Sequence, residues 1–290
     1  MRPKPLLRLL RSVQEQSLYP DEILVVDGST NSETRIVLVE NTFKNLTYFL
    51  VPKEYRGLTR QRNYGVDKAS ETSDMIAFVD DDTELTPNYF EELVRTFVAD
   101  KTIFGVGGVA LNENSWVLAE PNKQYNKYHF FQFDKFVYKE GQRNVVRNYL
   151  RLQSNLEPGK MPDYSHGRTC GFPLDGKIYK VDLLIGMSFA FRKIVFDSIQ
   201  FSSYFEGYGL YEDADFSIRA LQFGSNVINT KVQLNHYHDT SGRPNQYQYG
   251  KMVVRNGWYV WRTKNPTPTF THQFKWHSIT ILLTLIRFSN

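Results

Sequence analysis

The chain of 290 residues contains a single cysteine, Cys170, which excludes an internal disulfide framework and fits a reducing compartment. A lone thiol is more often a small buried residue than a nucleophile. Long apolar runs are also scarce. Arg2 to Val13 is basic without an uninterrupted apolar core, so it does not read as a secretory signal. Leu6, Leu7, Leu10 and Val13 instead follow helical spacing behind Pro5. The stretch Ile279 to Ile286 falls well short of the ~20 residues that span a bilayer. A third shortage is local: after Asp239 there is no acid, while Arg243, Lys251, Arg255, Arg262, Lys264, Lys275 and Arg287 supply seven bases. Residues 1–239 then hold 28 bases against 31 acids, a slightly negative body with a basic tail. Such a tail suits an anionic partner such as a membrane surface or a phosphorylated lipid. Nucleic acid is not expected, since the bases are confined to the tail and no recognition motif accompanies them.

What is present is organised around Met75-Ile76-Ala77-Phe78-Val79-Asp80-Asp81-Asp82. Five apolar residues read as a buried strand, and the acids begin where it would surface at its carboxyl end, the ligand-binding side of open α/β sheets. Three crowded carboxylates repel one another unless a cation sits among them. Two readings stay open: a divalent metal site for a phosphorylated substrate, or a solvated acidic turn before a helix capped by Thr86-Pro87.

Ahead of that strand, the sequence predicts a helix from Pro5 to Gln16, a strand over Glu22–Val26 ending in Asp27-Gly28-Ser29-Thr30, a helix around Ser32–Phe43 and a strand near Leu46–Val51. A βαβ unit also needs a strand before Pro3, which the sequence does not contain. Gly57-Leu58-Thr59-Arg60-Gln61-Arg62-Asn63-Tyr64-Gly65 opens a short helix whose two arginines suit a diphosphate, or are simply solvated. After the acids, a helix from Pro87 to Ala99 and a strand over Ile103–Ala110 complete an alternation that predicts a mostly parallel sheet. Between Leu111 and Lys180 the pattern dissolves into helical pieces and a long loop, readable as a substrate-facing lid or as an insertion packed on the sheet.

Order returns with a strand over Gly186–Arg192. Glu212-Asp213 falls in the first turn of a helix, where the dipole favours acids whatever their role. A strand over Asn226–Leu234 ends at His236-Tyr237-His238, and alternate residues at a strand end point to one side, where a ring can serve as a ligand.

Together these segments resemble the family 2 glycosyltransferases, inverting enzymes with the GT-A fold, from about Leu6 to Arg243. The resemblance implies that Asp27 contacts the nucleotide base and that Arg60 and Arg62 belong to the donor-binding segment, whose core Arg62-Asn63-x-Gly65 matches. Asp80-Asp81-Asp82 is similar to the family's D-x-D, so Asp80, Asp81 and Asp82 would serve nucleotide and metal. Gly186 lies on the strand resembling the acceptor site. Glu212-Asp213 matches the acidic pair that contains the catalytic base, and His236 falls where several members place a further metal ligand. The absent first strand is the departure from the pattern.

The implied fold is an α/β, Rossmann-like, mostly parallel mixed sheet flanked by helices. Its nucleotide-sugar half would be 1–110, its acceptor and catalytic half 111–240, and its helical basic and aromatic tail 241–290. The implied reaction is metal-dependent transfer, with Mg²⁺ or Mn²⁺, from a nucleotide-diphosphate sugar to a saccharide or lipid-linked saccharide. A hard cation would stabilise the leaving diphosphate, and one carboxylate, Asp213, would deprotonate the acceptor hydroxyl while Glu212 holds the acceptor or loop. Aromatic and basic residues in the tail suggest a cytoplasmic protein resting on the inner face of a membrane, or helices that merely pack on the body. Two alternatives are weighed against the transferase. A catalytically lapsed carbohydrate-binding relative is one; a sugar-nucleotide pyrophosphorylase, whose Gly-rich N-terminal loop is not seen in residues 1–30, is the other.

Overall fold

The computed structural model describes residues 2–168, 170–238 and 245–288. The first helix, α1, spans Pro3–Gln14 and begins earlier than its apolar spacing suggested, because proline suits a first helical turn that needs no amide hydrogen. Its buried stripe of Leu6, Leu9, Leu10 and Val13 packs with Leu85, Tyr89, Leu93 and Phe97 in one core cluster. Each such side chain contributes about 1.5–3 kcal/mol on leaving water, so packing rather than propensity holds α1 in place.

Strand β1 (Ile23–Asp27), helix α2 (Glu33–Glu40), strand β2 (Leu46–Leu50), helix α3 (Leu58–Lys68) and strand β3 (Met75–Val79) follow in the expected order. β1 and β2 pair in parallel as a separate two-stranded sheet. The acids after β3 lead into a short strand, β4 (Thr83–Leu85), then helix α4 (Tyr89–Ala99) and strand β5 (Ile103–Ala110). The helix therefore starts two residues after Pro87. Thr86 does not cap it, since both its amide and its Oγ1 donate to Gln233 O, at 3.1 and 2.9 Å.

The stretch expected as helical pieces and loop carries a three-stranded antiparallel sheet: β6 (Val117–Leu118), β7 (Phe130–Phe133) and β8 (Phe136–Lys139), in the order β6-β8-β7. Asp134, at φ 51°, turns the β7–β8 hairpin, and Trp116, Phe131, Phe133 and Tyr138 cluster on it. Helix α5 (Gln142–Tyr149) and irregular chain precede β9 (Ile178–Val181), β10 (Ser188–Arg192), α6 (Glu212–Ala220) and β11 (Ser225–His236). The main sheet has the order β3-β10-β5-β11-β4, with β9 also on β11. It is mixed, as expected, but less parallel than the alternation suggested: β11 runs parallel to β5, while β10 opposes both of its neighbours. The long excursion after β5 returns the chain reversed, so β10 inserts antiparallel between β3 and β5.

Two helices close the chain, α7 (Gln246–Lys264) and α8 (Phe270–Phe288). They pack onto the body through Val260, Trp261 and Trp276, which cluster with Met161, Leu183, Phe205 and Ile218. The Trp261 and Trp276 rings stack with centroids 4.8 Å apart. No helix among the described residues is long and apolar enough to cross a membrane.

Candidate active site

A cleft of about 1010 Å³ gathers Arg62, Asp80, Asp81, Asp82, Gly186, Glu212, Asp213 and His236. Each arrives by a separate local cause. Asp80 directly follows β3, and its amide donates to Met187 O at 3.3 Å, which draws Gly186 alongside. β11 shifts register between Ile228 and Gln233, so its end swings back to pair with β4, His236 opposite Thr83. Tyr237 then donates its amide to Asp82 O at 3.1 Å, and His236 Nε2 lies 3.4 Å from Asp82 Oδ1. Tyr211, left-handed at φ 71°, starts α6 with Glu212 and Asp213 in its first turn.

Asp213 accepts the Gly186 amide on Oδ2 and the Ala214 amide on Oδ1, both at 2.8 Å, so its carboxylate is fixed at the cleft wall. Glu212 is buried and paired with Arg62 Nη1, while its Oε2 has no hydrogen-bond partner among the described residues. Arg62 Nη2 also donates to Gly186 O at 3.2 Å and lies 3.7 Å from Asp80 Oδ1. Its guanidinium sits 4.8 Å from the Phe189 ring centroid and 5.3 Å from that of Phe201. Burial pushes the Glu212 carboxyl up to about 8, against the pull of Arg62 and with help from Asp213. Asp80 keeps 39% of its side-chain surface open to the cleft. Desolvation still lifts it to about 6, with Arg62 opposing and Asp82 adding to the rise.

Asp80, Asp82 and His236 present donor atoms within 4.8 Å of one another, two carboxylates and an imidazole suited to a divalent cation such as Mg²⁺ or Mn²⁺. That the acids attract a cation is visible already: Arg2 pairs with Asp81, and its Nη1 lies 3.0 Å from Asp82 Oδ2. A divalent ion there would compete with that arginine. Burial alone would lower the His236 pKa, but hydrogen bonds and charge from Asp82 and Glu113 outweigh it and raise the ring to about 9.

Two residues singled out in the sequence lie elsewhere. Asp27 is buried at the end of β1, where it accepts from Ser29 N at 2.8 Å and from the Tyr48 hydroxyl at 2.9 Å. Arg60 is half-buried, donates to Glu54 O at 3.0 Å and pairs with Glu206. Neither lines the cleft, although Gly57 and Leu58, at the start of α3, do. Conversely, sequence reasoning missed Glu113 and Arg2. Glu113 follows β5 at the same sheet edge that supplies Asp80, a positional signal that could have found it; nothing marked Arg2.

The mixed sheet with a cleft at its strand ends is the GT-A glycosyltransferase fold. It superposes on the crystal structure of GalNAc-T7 with UDP, GalNAc and Mn²⁺ at a TM-score of 0.54 and 15% identity, over 89% of this chain and 47% of that one. Glycosyl transferase family 2 matches residues 1–158, and the chain belongs to that family. Similar proteins include EpsH of Bacillus subtilis (strain 168), provisionally named a glycosyltransferase, at 25% identity over 239 residues, 79% of this chain and 55% of the relative. The glucosyl-dolichyl phosphate glucuronosyltransferase of Haloferax volcanii is 30% identical over 115 residues, 39% of this chain and 34% of that protein. The chain thus spans about half or less of the length of the curated relatives it matches.

Proposed function

We propose that this chain transfers a sugar from a nucleotide-diphosphate donor to a hydroxyl of a saccharide or lipid-linked saccharide, with inversion at the anomeric carbon. The observation that carries the proposal is the meeting of the β3 acids with the Glu212-Asp213 pair in one cleft. Asp80, Asp82 and His236 would hold Mg²⁺ or Mn²⁺, which supplies Lewis-acid stabilisation of the departing diphosphate. Asp213, anchored by the Gly186 amide, accepts the proton of the attacking hydroxyl as general base. Direct attack needs no nucleophile on the enzyme. Glu212 orients this wall through Arg62, and the α3 start faces the donor phosphates. Residues 1–110 then serve the donor, 111–240 the acceptor and chemistry, with 241–290 as the tail.

A panel of sugar nucleotides tests this by nucleoside-diphosphate release with Mg²⁺ or Mn²⁺. Wild type releases nucleoside diphosphate from one of them, Asp213→Asn loses roughly 10²–10⁴-fold in rate, and Asp82→Asn loses its dependence on added metal. Wild-type release by both variants overturns the assignment. A lapsed binding relative would release none.

A second reading concerns the tail. Phe270, Phe274, Ile281 and Leu285 are all exposed and share one face of α8, opposite buried Trp276 and Ile279. Together with the absence of acids after Asp239, this favours peripheral contact with an anionic membrane surface at its cytoplasmic face. Arg243 lies outside the described residues, and Arg287 is described only through its place in α8.

A further inference from the structure

Glu113 has no part in the function proposed above, yet it is built into the site. The side chain of Asn112 exchanges two hydrogen bonds with the backbone of His236: His236 N donates to Asn112 Oδ1 at 2.9 Å, and Asn112 Nδ2 donates to His236 O at 2.7 Å. This clamp fixes the loop after β5 against the end of β11 and sets Glu113 beside the His236 ring. Glu113 Oε1 then lies 2.7 Å from His236 Nδ1 and 2.8 Å from His238 Nε2. The other nitrogen of His236, Nε2, faces Asp82. Left-handed at φ 49°, His238 brings its ring back to within 4.0 Å of that of His236, centroid to centroid.

A histidine ligates a metal through one nitrogen only if the proton is held on the other. A carboxylate at Nδ1 fixes that tautomer, orients the ring and makes the free nitrogen a better donor. We propose that Glu113 is a positioning residue for the cation site, holding the Nδ1 proton of His236 so that the lone pair of Nε2 points at an ion shared with Asp80 and Asp82. His238 contacts the same carboxylate from outside and is not a ligand. The inference rests on the metal reading above, and it accounts for a carboxylate that neither the D-x-D nor the acidic pair includes.

The test is Mn²⁺ titration of the full chain, without donor, followed by electron paramagnetic resonance, with thermal unfolding run alongside. Glu113→Ala weakens Mn²⁺ binding by about 10–100-fold and loses the nitrogen coupling of the bound ion, at an unchanged unfolding midpoint. Glu113→Gln, whose amide oxygen can accept the same proton, recovers most of the loss. His238→Ala binds like wild type. Two results overturn the inference: Glu113→Ala binding Mn²⁺ as tightly as wild type, or His238→Ala as weak as Glu113→Ala with no rescue by Gln. The latter would make Glu113, His236 and His238 the ligands themselves. Asp82→Asn separates this from the underlying reading, because wild-type binding by that variant takes the ion away from Asp80 and Asp82.

Discussion

Arg62 and Glu212 stand 150 residues apart in the chain and are paired in the cleft. The pair explains why a buried acid and a buried arginine persist among Phe78, Phe189 and Phe201. Removing one member of such a pair costs about 3–5 kcal/mol. Arg62→Met should lose that much in urea denaturation at pH 8.5, leaving Glu212 without its partner and depriving Asp80 of one of its cationic neighbours. The sign with pH follows from burial, which holds Glu212 up to about 8. Its contribution to stability is fully present below the ordinary carboxyl range and is lost as pH rises through 8. The Arg62→Met deficit should therefore grow from pH 6 to pH 9, and Glu212→Gln should flatten the wild-type decline. A deficit independent of pH would contradict this account.

Asp27 has the opposite sign. Burial would raise its pKa, but hydrogen bonds from Ser29 and Tyr48 outweigh it and hold the carboxyl below the usual carboxylate range. That stability is present above the unfolded pKa and disappears as pH falls through the folded one. Tyr48→Phe should cost about 1.5–3 kcal/mol at pH 7, as expected for a hydrogen bond to a charged acceptor. The difference from wild type should narrow in the acid limb of a midpoint-against-pH profile. Equal gaps at pH 7 and pH 3 would count against it.

Gly186 offers a readout that separates activity from folding. A Cβ there would stand 3.2 Å from Glu212 Oε1 and 3.3 Å from both Arg62 Nη2 and Asp213 Oδ2. Gly186→Ala should push Asp213 from its anchored position. A displacement of this kind costs on the order of 10²-fold in rate, and the unfolding midpoint should stay close to wild type. Undiminished turnover would place the reacting atoms away from this wall.

The exposed face of α8 predicts sedimentation with vesicles rich in anionic lipid at low salt. Burying a phenylalanine is worth about 1.5–3 kcal/mol and each 1.4 kcal/mol is tenfold, so Phe270→Ser/Phe274→Ser should weaken vesicle binding by tenfold or more. Wild-type protein that stays in the supernatant at low salt would dispose of membrane contact.

The parts of this molecule legible in the sequence were those whose cause is local. Asp80 to Asp82 stand out because an apolar strand runs straight into three acids, although β3 lies at the edge of its sheet and is only partly buried rather than covered on both faces, and Glu212-Asp213 because a helix start is marked by its neighbours. Arg62 was visible as a cation but not as the partner of Glu212, since that contact depends on how β10 and α6 pack. Glu113 could have been found from its place after β5, but its relation to His236 is made by the Asn112 clamp, which no spacing encodes. The β7–β8 hairpin escaped because its aromatic face, Phe131, Phe133, Phe136 and Tyr138, is divided between two strands of four residues each, too short for an alternation to stand out.

The Trp261–Trp276 stack ties the last helix to Met161 and Leu183, and these two residues also line the cleft, as do Gly257 and Val260 of α7. The end of the chain is therefore masonry for the cleft as well as the proposed mooring. A version cut short before α8 would lose a backing layer behind the reaction chamber, so catalysis and surface attachment should fail together.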